Sequence, residues 1–456
     1  MSEPAESEPT VRGDGAEPGP GATLSRRSAL TWAGVLGAGA VLGVGGTSWW
    51  RGRDLTNVSL PLYSETVAFR SAGVRELVPP GRVSSVVPGT RVLEAAVGRD
   101  ALVEAESAWL AASAPWVMQG GEHSALLRAA LLDIRALMVD GTSVAGWSEQ
   151  WRYVWPRDTA HVAVALALAG HRADAESALA WLESVQRDGE WFEARYDPST
   201  HATPDDRSRQ LDGLGWALWA LDRLDVAHRA AGDTATTERR RVLLDSSLAT
   251  IVSSLDARTG LPPASPDYWE RPESRLTLGT AAPLLVGLRA AERMGARAGL
   301  SDATDRARTA ADALEAGIVE RFGPQGFQRY ASGGGHCASL AFLLPPYLEV
   351  AVPGADDAFD EARATMARPA GGLAPGAGWR RDGISWTPET AIFANAALAT
   401  GRRTLGTDLL RWIDAHRTAA GSLPEKVRAD GSPASVAPLA WTAAVVVHGV
   451  HLARGT

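Results

Sequence analysis

Tyr153-Val154-Trp155-Pro156-Arg157-Asp158-Thr159-Ala160-His161-Val162-Ala163-Val164-Ala165-Leu166-Ala167-Leu168-Ala169-Gly170 is the stretch whose reading decides the fold. Pro156 suits the first position of a helix, where its missing N–H costs nothing, and Asp158 falls in the first turn, where the helix dipole favours negative charge. From Ala160 to Ala169 the residues are nearly all small and apolar. A helix of that composition has no face for water and must be buried all round. The loop ahead of it brings two aromatics, a guanidinium and a carboxylate to the helix start, as a binding site is commonly mounted on a rigid scaffold.

Working outward, the chain repeats this arrangement. Segments 210–224, 277–290, 337–349, 389–400 and 437–453 are also apolar nearly all round. Between them lie segments with one apolar stripe at helical spacing: Leu127, Leu131, Ile134 and Met138; Ala175, Ala178, Leu182 and Val185; Leu244, Leu248, Ile251 and Leu255; Ala303, Ala307, Leu314 and Ile318; and Leu405, Leu409, Trp412 and Ile413, with a weaker candidate at 357–367. A stripe marks a helix with one face in water. Six buried helices alternating with six half-exposed ones predict an all-α protein, an (α/α)6 barrel with an inner and an outer ring. The alternative is an α-solenoid of helix pairs, but no fixed-period sequence repeat accompanies it.

In this scheme every outer-to-inner connection falls at one end of the barrel, and the six connections are rich in Trp, Arg and carboxylates. They include Trp151 to Asp158, Asp205 to Gly213, Asp267 to Glu273, Arg329 to His336, Trp379 to Glu389 and Leu423 to Gly431. Carboxylates and guanidinium groups bind vicinal hydroxyls in fixed geometry, and Trp faces cover the apolar side of a sugar ring. Glycosidic cleavage needs two carboxyl groups in different protonation states. Glu270, flanked by Tyr268 and Trp269, is expected in an apolar setting that keeps it protonated as an acid. Glu425, followed by Lys426, is expected beside a cation that keeps it ionised as a base. The bland alternative for each is a structural pair, with Arg271 and with Lys426 respectively.

Composition agrees with a pocket for a neutral polyol. Seventeen Trp against seven Phe and six Tyr is an inverted ratio, and 45% apolar residues in 456 allow a sizeable core. A net charge of −8 without a basic stripe excludes nucleic acid as an expected partner. One cysteine, Cys337, allows no internal disulfide, and nine His without paired ligand spacing give no reason to expect a metal or other cofactor.

Residues 1–24 lack apolar periodicity and read as disordered. Ser25-Arg26-Arg27-Ser28 precedes an uncharged run from Ala29 to Trp50, the layout of a twin-arginine export signal, while residues 29–50 are also long enough to anchor in a membrane. Either outcome puts the remainder outside the cytoplasmic membrane. Residues 51–100 read as a linker with short strands, among them 83–87 and 91–93, and 101–456 as the barrel domain.

YVWPRD at 153–158, RQLDGLGWALWAL at 209–221, Trp269-Glu270, GGL at 371–373, and LPE at 423–425 ahead of PLAW at 438–441 resemble, in that order, the glucoamylase family, glycoside hydrolase family fifteen, and its bacterial members in particular. The resemblance spans about residues 120–453. It implies an (α/α)6 barrel that releases glucose from non-reducing ends of α-glucosides with inversion, Glu270 acting as general acid and Glu425 as general base. The sugar-binding candidates it suggests are Tyr153, Trp155, Arg157, Asp158, Arg209, Gln210, Asp212, Trp269, Arg380, Arg381, Trp386 and Trp441. Lys426 stands where the family commonly has Gln, and neither the β-sandwich domain of bacterial members nor a starch-binding module has a counterpart. These departures bear on substrate choice, which ranges over trehalose, isomalto-oligosaccharides, starch-derived oligomers and an envelope glucan. The competing function is an envelope-anchored barrel that binds glycans without cleaving them.

Overall fold

The structure, a computed structural model, describes residues 60–186 and 191–455. The expected disordered stretch and leader, 1–24 and 25–50, lie outside the described residues. Leaving aside single-turn pieces, the helices are Arg99–Ala111 (α1), Ser124–Leu137 (α2), Pro156–Leu168 (α3), Arg172–Val185 (α4), Asp212–Ala230 (α5), Arg241–Ser254 (α6), Leu278–Ala298 (α7), Ser301–Phe322 (α8), Phe359–Met366 (α9), Thr387–Ala399 (α10), Arg403–Ala415 (α11) and Ala440–Arg454 (α12). None of the helices among the described residues is long and apolar enough to cross a membrane.

The inner ring closes on itself. α3 packs on α5, α5 on α7, α7 on the segment Ala338–Leu343, that segment on α10, α10 on α12, and α12 back on α3. Outside it, α2 lies against α12, α4 against α3 and α5, α6 against α5 and α7, α8 against α7, α9 against Ala338–Leu343, and α11 against α10 and α12. This is the (α/α)6 barrel expected from periodicity. α3 is buried at every position from Pro156 to Ala167, whereas α4 buries Ala175, Ala178, Leu179, Trp181, Leu182 and Val185 and presents the rest to its surroundings. Each Leu or Val fully removed from water contributes roughly 1.5–3 kcal/mol.

The fourth inner element differs from the expected helix over 337–349. It is a short 3-10 helix, Ala338–Leu343, followed by irregular chain. Pro345 and Pro346 supply no N–H donors, and a proline biases the residue before it away from helical geometry, so the apolar run cannot continue as an α-helix. Where α5 and α7 cross, a Cβ on Gly215 would overlap the Pro283 carbonyl, and one on Gly287 would strike Gly215. Two glycines are required for that approach.

Strands Thr66–Ser71 (β1) and Val74–Val78 (β2) form an antiparallel hairpin ahead of the barrel. The expected strand at 83–87 is instead a 3-10 turn, Val83–Ser85, closed by the Ser85 hydroxyl bonding Arg82 O at 2.6 Å. Val92 bridges Phe69, and Leu93 bridges Val86. This segment is woven into the barrel: buried Arg91 bonds Asp133 of α2 at 2.7 and 2.8 Å, and Asp133 accepts from Ser422 Oγ at 2.7 Å and Leu423 N at 2.8 Å. Ser64 Oγ bonds Ala437 O at 2.5 Å and Thr66 Oγ1 meets Ser422 Oγ at 2.6 Å. Residues 61–66 and 91 therefore brace the chain on both sides of Glu425.

Candidate active site

Three of the mouth loops converge on Arg157, in the first turn of α3. Its guanidinium donates to Asp212 Oδ2 at 2.8 Å, Gln210 Oε1 at 3.2 Å and Glu270 Oε1 at 3.0 Å, and lies 5.2 Å from the Trp441 ring. Asp158 is buried beside it, 3.8 Å from Arg157 Nε. Burial drives the Asp158 carboxyl up to about 7, against the opposing pull of Arg157. Burial likewise raises Asp212. His161 Nδ1–H donates to the Arg157 carbonyl, 2.9 Å away, and burial lowers the imidazole to about 3, so it is neutral.

Glu270 does not have the apolar surroundings expected of it. Its carboxylate, 26% exposed, receives Arg157 Nη2 at 3.0 Å, Arg207 Nη1 at 3.1 Å and Gln210 Nε2 at 2.9 Å. The cause is the turn that carries it. Asp267 accepts from Trp269 N at 2.9 Å, the Asp267 carbonyl takes Glu270 N at 2.8 Å, and Glu270 has a φ of +52°, in the left-handed region. An L-residue held there is strained, and the surroundings must enforce it. They do so through Arg329, which grips Asp267 at 2.9 and 3.0 Å and stacks 3.7 Å over Trp269, and through Thr277 Oγ1 at 2.8 Å from Asp267. Arg271, the expected structural partner, instead lies 5.8 Å over Trp379.

Glu425, 8% exposed, receives Ser435 Oγ at 2.5 Å and Lys426 Nζ at 3.0 Å. The expected cation is in place. A small antiparallel sheet, Ser385–Trp386 (β3) with Lys426–Val427 (β4) and Pro433–Ala434 (β5), pairs Trp386 with Lys426. Lys426 Nζ sits 4.1 Å over the Trp386 ring, and Thr387 N donates to Glu425 O at 3.1 Å. Ser435 is itself clamped by residues 61–63: its N–H reaches Pro61 O at 2.9 Å and its carbonyl takes Tyr63 N at 2.8 Å.

An arc of tryptophans joins the two carboxylate loops. Trp269 meets Trp379 edge-on at 4.9 Å, and Trp379 meets Trp386 at 5.6 Å, next to Lys426. Trp155, Trp269, Trp379, Trp386 and Trp441 each bury an indole N–H with no hydrogen-bond partner among the described residues. Tyr153 packs on Trp155 at 6.5 Å, with Arg195 over both rings. Of the sequence candidates, Tyr153, Trp155, Arg157, Asp158, Gln210, Asp212, Trp269, Trp386 and Trp441 thus belong to linked contacts around Glu270 and Glu425. Arg209 turns outward to Glu193 at 2.8 Å, and Arg380 and Arg381 are exposed. Sequence reasoning passed over Arg207, Trp379, Ser435 and Glu389. Glu389, in the first turn of α10, is buried and its Oε2 has no hydrogen-bond partner among the described residues. The signal for it was available: Trp386-Thr387-Pro388-Glu389 repeats the Trp, Pro and carboxylate order of Trp155-Pro156-Arg157-Asp158.

A groove of about 450 Å³ lined by Arg289, Glu292, Arg293, Leu348 and Glu349 lies at the second half of α7, away from the helix starts that form the mouth. Its charges are paired, Arg289 with Glu292 at 3.1 Å and Glu315 at 2.8 Å.

No protein-family model matches the chain. Over 90 residues it is 33% identical to an uncharacterised glycosyl hydrolase of Methanocaldococcus jannaschii, a match covering 20% of this chain and 14% of that protein. Among solved structures it resembles a wild-type glycosidase (TM-score 0.61, 18% identity, covering 76% of this chain and 98% of the other). It also resembles a bacterial glucoamylase complexed with acarbose (0.58, 18%, 75% and 56%) and the glucoamylase of Saccharomycopsis fibuligera (0.57, 14%, 70% and 89%). At such identities the likeness is one of fold: the chain has the (α/α)6 barrel of the glucoamylase class.

Proposed function

We propose that this chain is a glycoside hydrolase that inverts configuration while releasing glucose from the non-reducing end of a neutral α-glucoside, with Glu270 as general acid and Glu425 as general base. The observation that carries this reading is the joining of the Glu270 and Glu425 loops by one tryptophan arc, with Arg157 against both Glu270 and Trp441, among buried indole N–H groups that have no partner among the described residues. Sugar hydroxyls are suited to accept from such donors. In the mechanism Arg157, Asp158 and Trp441 hold the terminal sugar. Glu270 must carry a proton to deliver it to the leaving oxygen. Among the described residues Glu270 is met only by donors, so a proton on it displaces Arg207, its exposed partner, while Arg157 and Gln210 keep its orientation. Glu425, beside Lys426, then takes a proton from the attacking water on the opposite face.

The arginine pair and apolar run at 25–50 support export as part of the same proposal, with the barrel outside the cytoplasmic membrane. The reading is tested by incubating purified protein with trehalose and with maltose-type and isomaltose-type oligosaccharides, following the product by NMR. β-Glucose from wild type, lost in Glu270→Gln and Glu425→Gln, is the expected result. No turnover on any of these, or unchanged turnover in Glu270→Gln, removes it in favour of a non-catalytic glycan-binding barrel.

A further inference from the structure

Glu389 has no part in the two-carboxylate scheme, yet its place in the fold is specific. It sits in the first turn of α10, two residues beyond Thr387, whose N–H and hydroxyl bond Glu425 O at 3.1 and 3.2 Å. The strand pairing Trp386 with Lys426 fixes the start of α10 against the Glu425 loop. The side chain is 2% exposed, and one carboxyl oxygen is left without a partner among the described residues. A buried carboxyl oxygen with no partner is costly, and such groups call for a missing ligand or water. The charged groups facing it are Glu425 and Lys426 from the last loop and Arg157 from α3, the residues that surround the sugar in the reading above.

We propose that Glu389 is a sugar ligand: its buried carboxyl takes a hydroxyl of a neutral hexose seated between Glu270 and Glu425. This deepens the hydrolase reading and rests on it for the identity of the pocket. A carboxyl here serves a hydroxyl as donor and acceptor when protonated, and burial pushes Glu389 up to about 8, which keeps it so at neutral pH. A protonated carboxyl at this position can pair with a hydroxyl in both directions, and a hydroxyl is the group a neutral ring offers.

The sign of the linkage gives a signature independent of turnover. The folded state holds the Glu389 proton across a range, from about 4.5 to about 8, in which the unfolded chain has lost it, so stability falls as pH rises through that window. Glu389→Gln should flatten that fall. In the binding experiment, glucose is titrated into full-length wild type, Glu389→Gln and Glu389→Leu, followed by tryptophan fluorescence, with circular dichroism confirming the fold. Glu389→Gln, which keeps a donor and an acceptor, should stay within about threefold of wild type, and Glu389→Leu, which has neither, should weaken glucose tenfold or more. Equal affinity of wild type and Glu389→Leu overturns the proposal, as does loss in Glu389→Gln. If glucosides are hydrolysed but glucose affinity ignores Glu389→Leu, this inference falls alone. If glucose binding depends on Glu389 while no glucoside is cleaved, the hydrolase reading falls and the ligand remains.

Discussion

Glu270 and Glu425 are held in opposite ways. Glu270 is gripped by side chains: Arg157 and Gln210 from inside, and Arg207, 39% exposed, from outside. The Glu425 carboxylate meets Ser435 Oγ and Lys426 Nζ, both from its own loop, and its backbone is pinned as well, the N–H on Val436 O at 2.8 Å and the carbonyl on Thr387 N, beside a sheet braced by residues 61–63. Side-chain contacts can exchange as charge moves, whereas paired backbone cannot without local unfolding. A proton donor must let a donor go and accept a proton in each cycle; a base that activates water needs a fixed position. In the proposed reading the acid falls on the adaptable wall and the base on the more rigid one.

The largest effect that can break this comparison is on rate. Glu270→Gln and Glu425→Gln should each lower kcat by roughly 10²–10⁴-fold with little change in melting temperature, since each loses proton transfer and keeps its shape. The pair should differ in pH dependence. In Glu425→Gln the limb set by the base disappears, and in Glu270→Gln the limb set by the acid. Mutants whose pH profiles are identical would leave the two roles unassigned.

The second effect is on the rigid wall. Arg91→Ala leaves the buried Asp133 carboxylate without its guanidinium, which typically costs about 3–5 kcal/mol. Because Asp133 also holds Ser422 and Leu423, the loss should spread to the Glu425 loop and lower kcat, although Arg91 touches no substrate. Asp133→Asn in the Arg91→Ala background removes the orphan charge and should recover part of the melting temperature, measured by calorimetry. No recovery would mean that Arg91 acts by packing rather than through the ion pair.

How far the sequence foretold this differs between the two walls. The rings were legible because burial all round and burial on one stripe leave different periods, visible at Ala160–Ala169 and at Ala175, Ala178, Leu182 and Val185. The segment after Cys337 was not, since an apolar run alone does not separate a helix from a 3-10 turn, and the proline pair decided it. Lys426 was read correctly beside Glu425 because neighbours across one strand step stay neighbours in space. Tyr268 and Trp269 misled for Glu270, because the Asp267 turn rotates the carboxylate toward Arg157 and Arg207, which lie far from it along the chain. The bracing role of residues 61–66 and Arg91 left no periodic trace, since it depends on single hydrogen bonds to distant loops.

The smallest effect sharpens the comparison most. Arg207 is more than a third exposed, so its pair with Glu270 contributes about 0–1 kcal/mol to stability once solvent screening is allowed for, and Arg207→Ala should barely move the melting temperature. Its consequence is chemical. Arg207 is the exposed donor that a proton on Glu270 has to displace in the proposed cycle, so Arg207→Ala should raise kcat modestly, a change far smaller than the loss in either glutamate substitution. High salt, which screens an exposed pair and leaves the buried Arg157 contact largely intact, should change the wild-type rate in the same direction. If Arg207→Ala lowers kcat as far as Glu425→Gln does, the two walls act as one unit and the division between an adaptable acid and a fixed base fails.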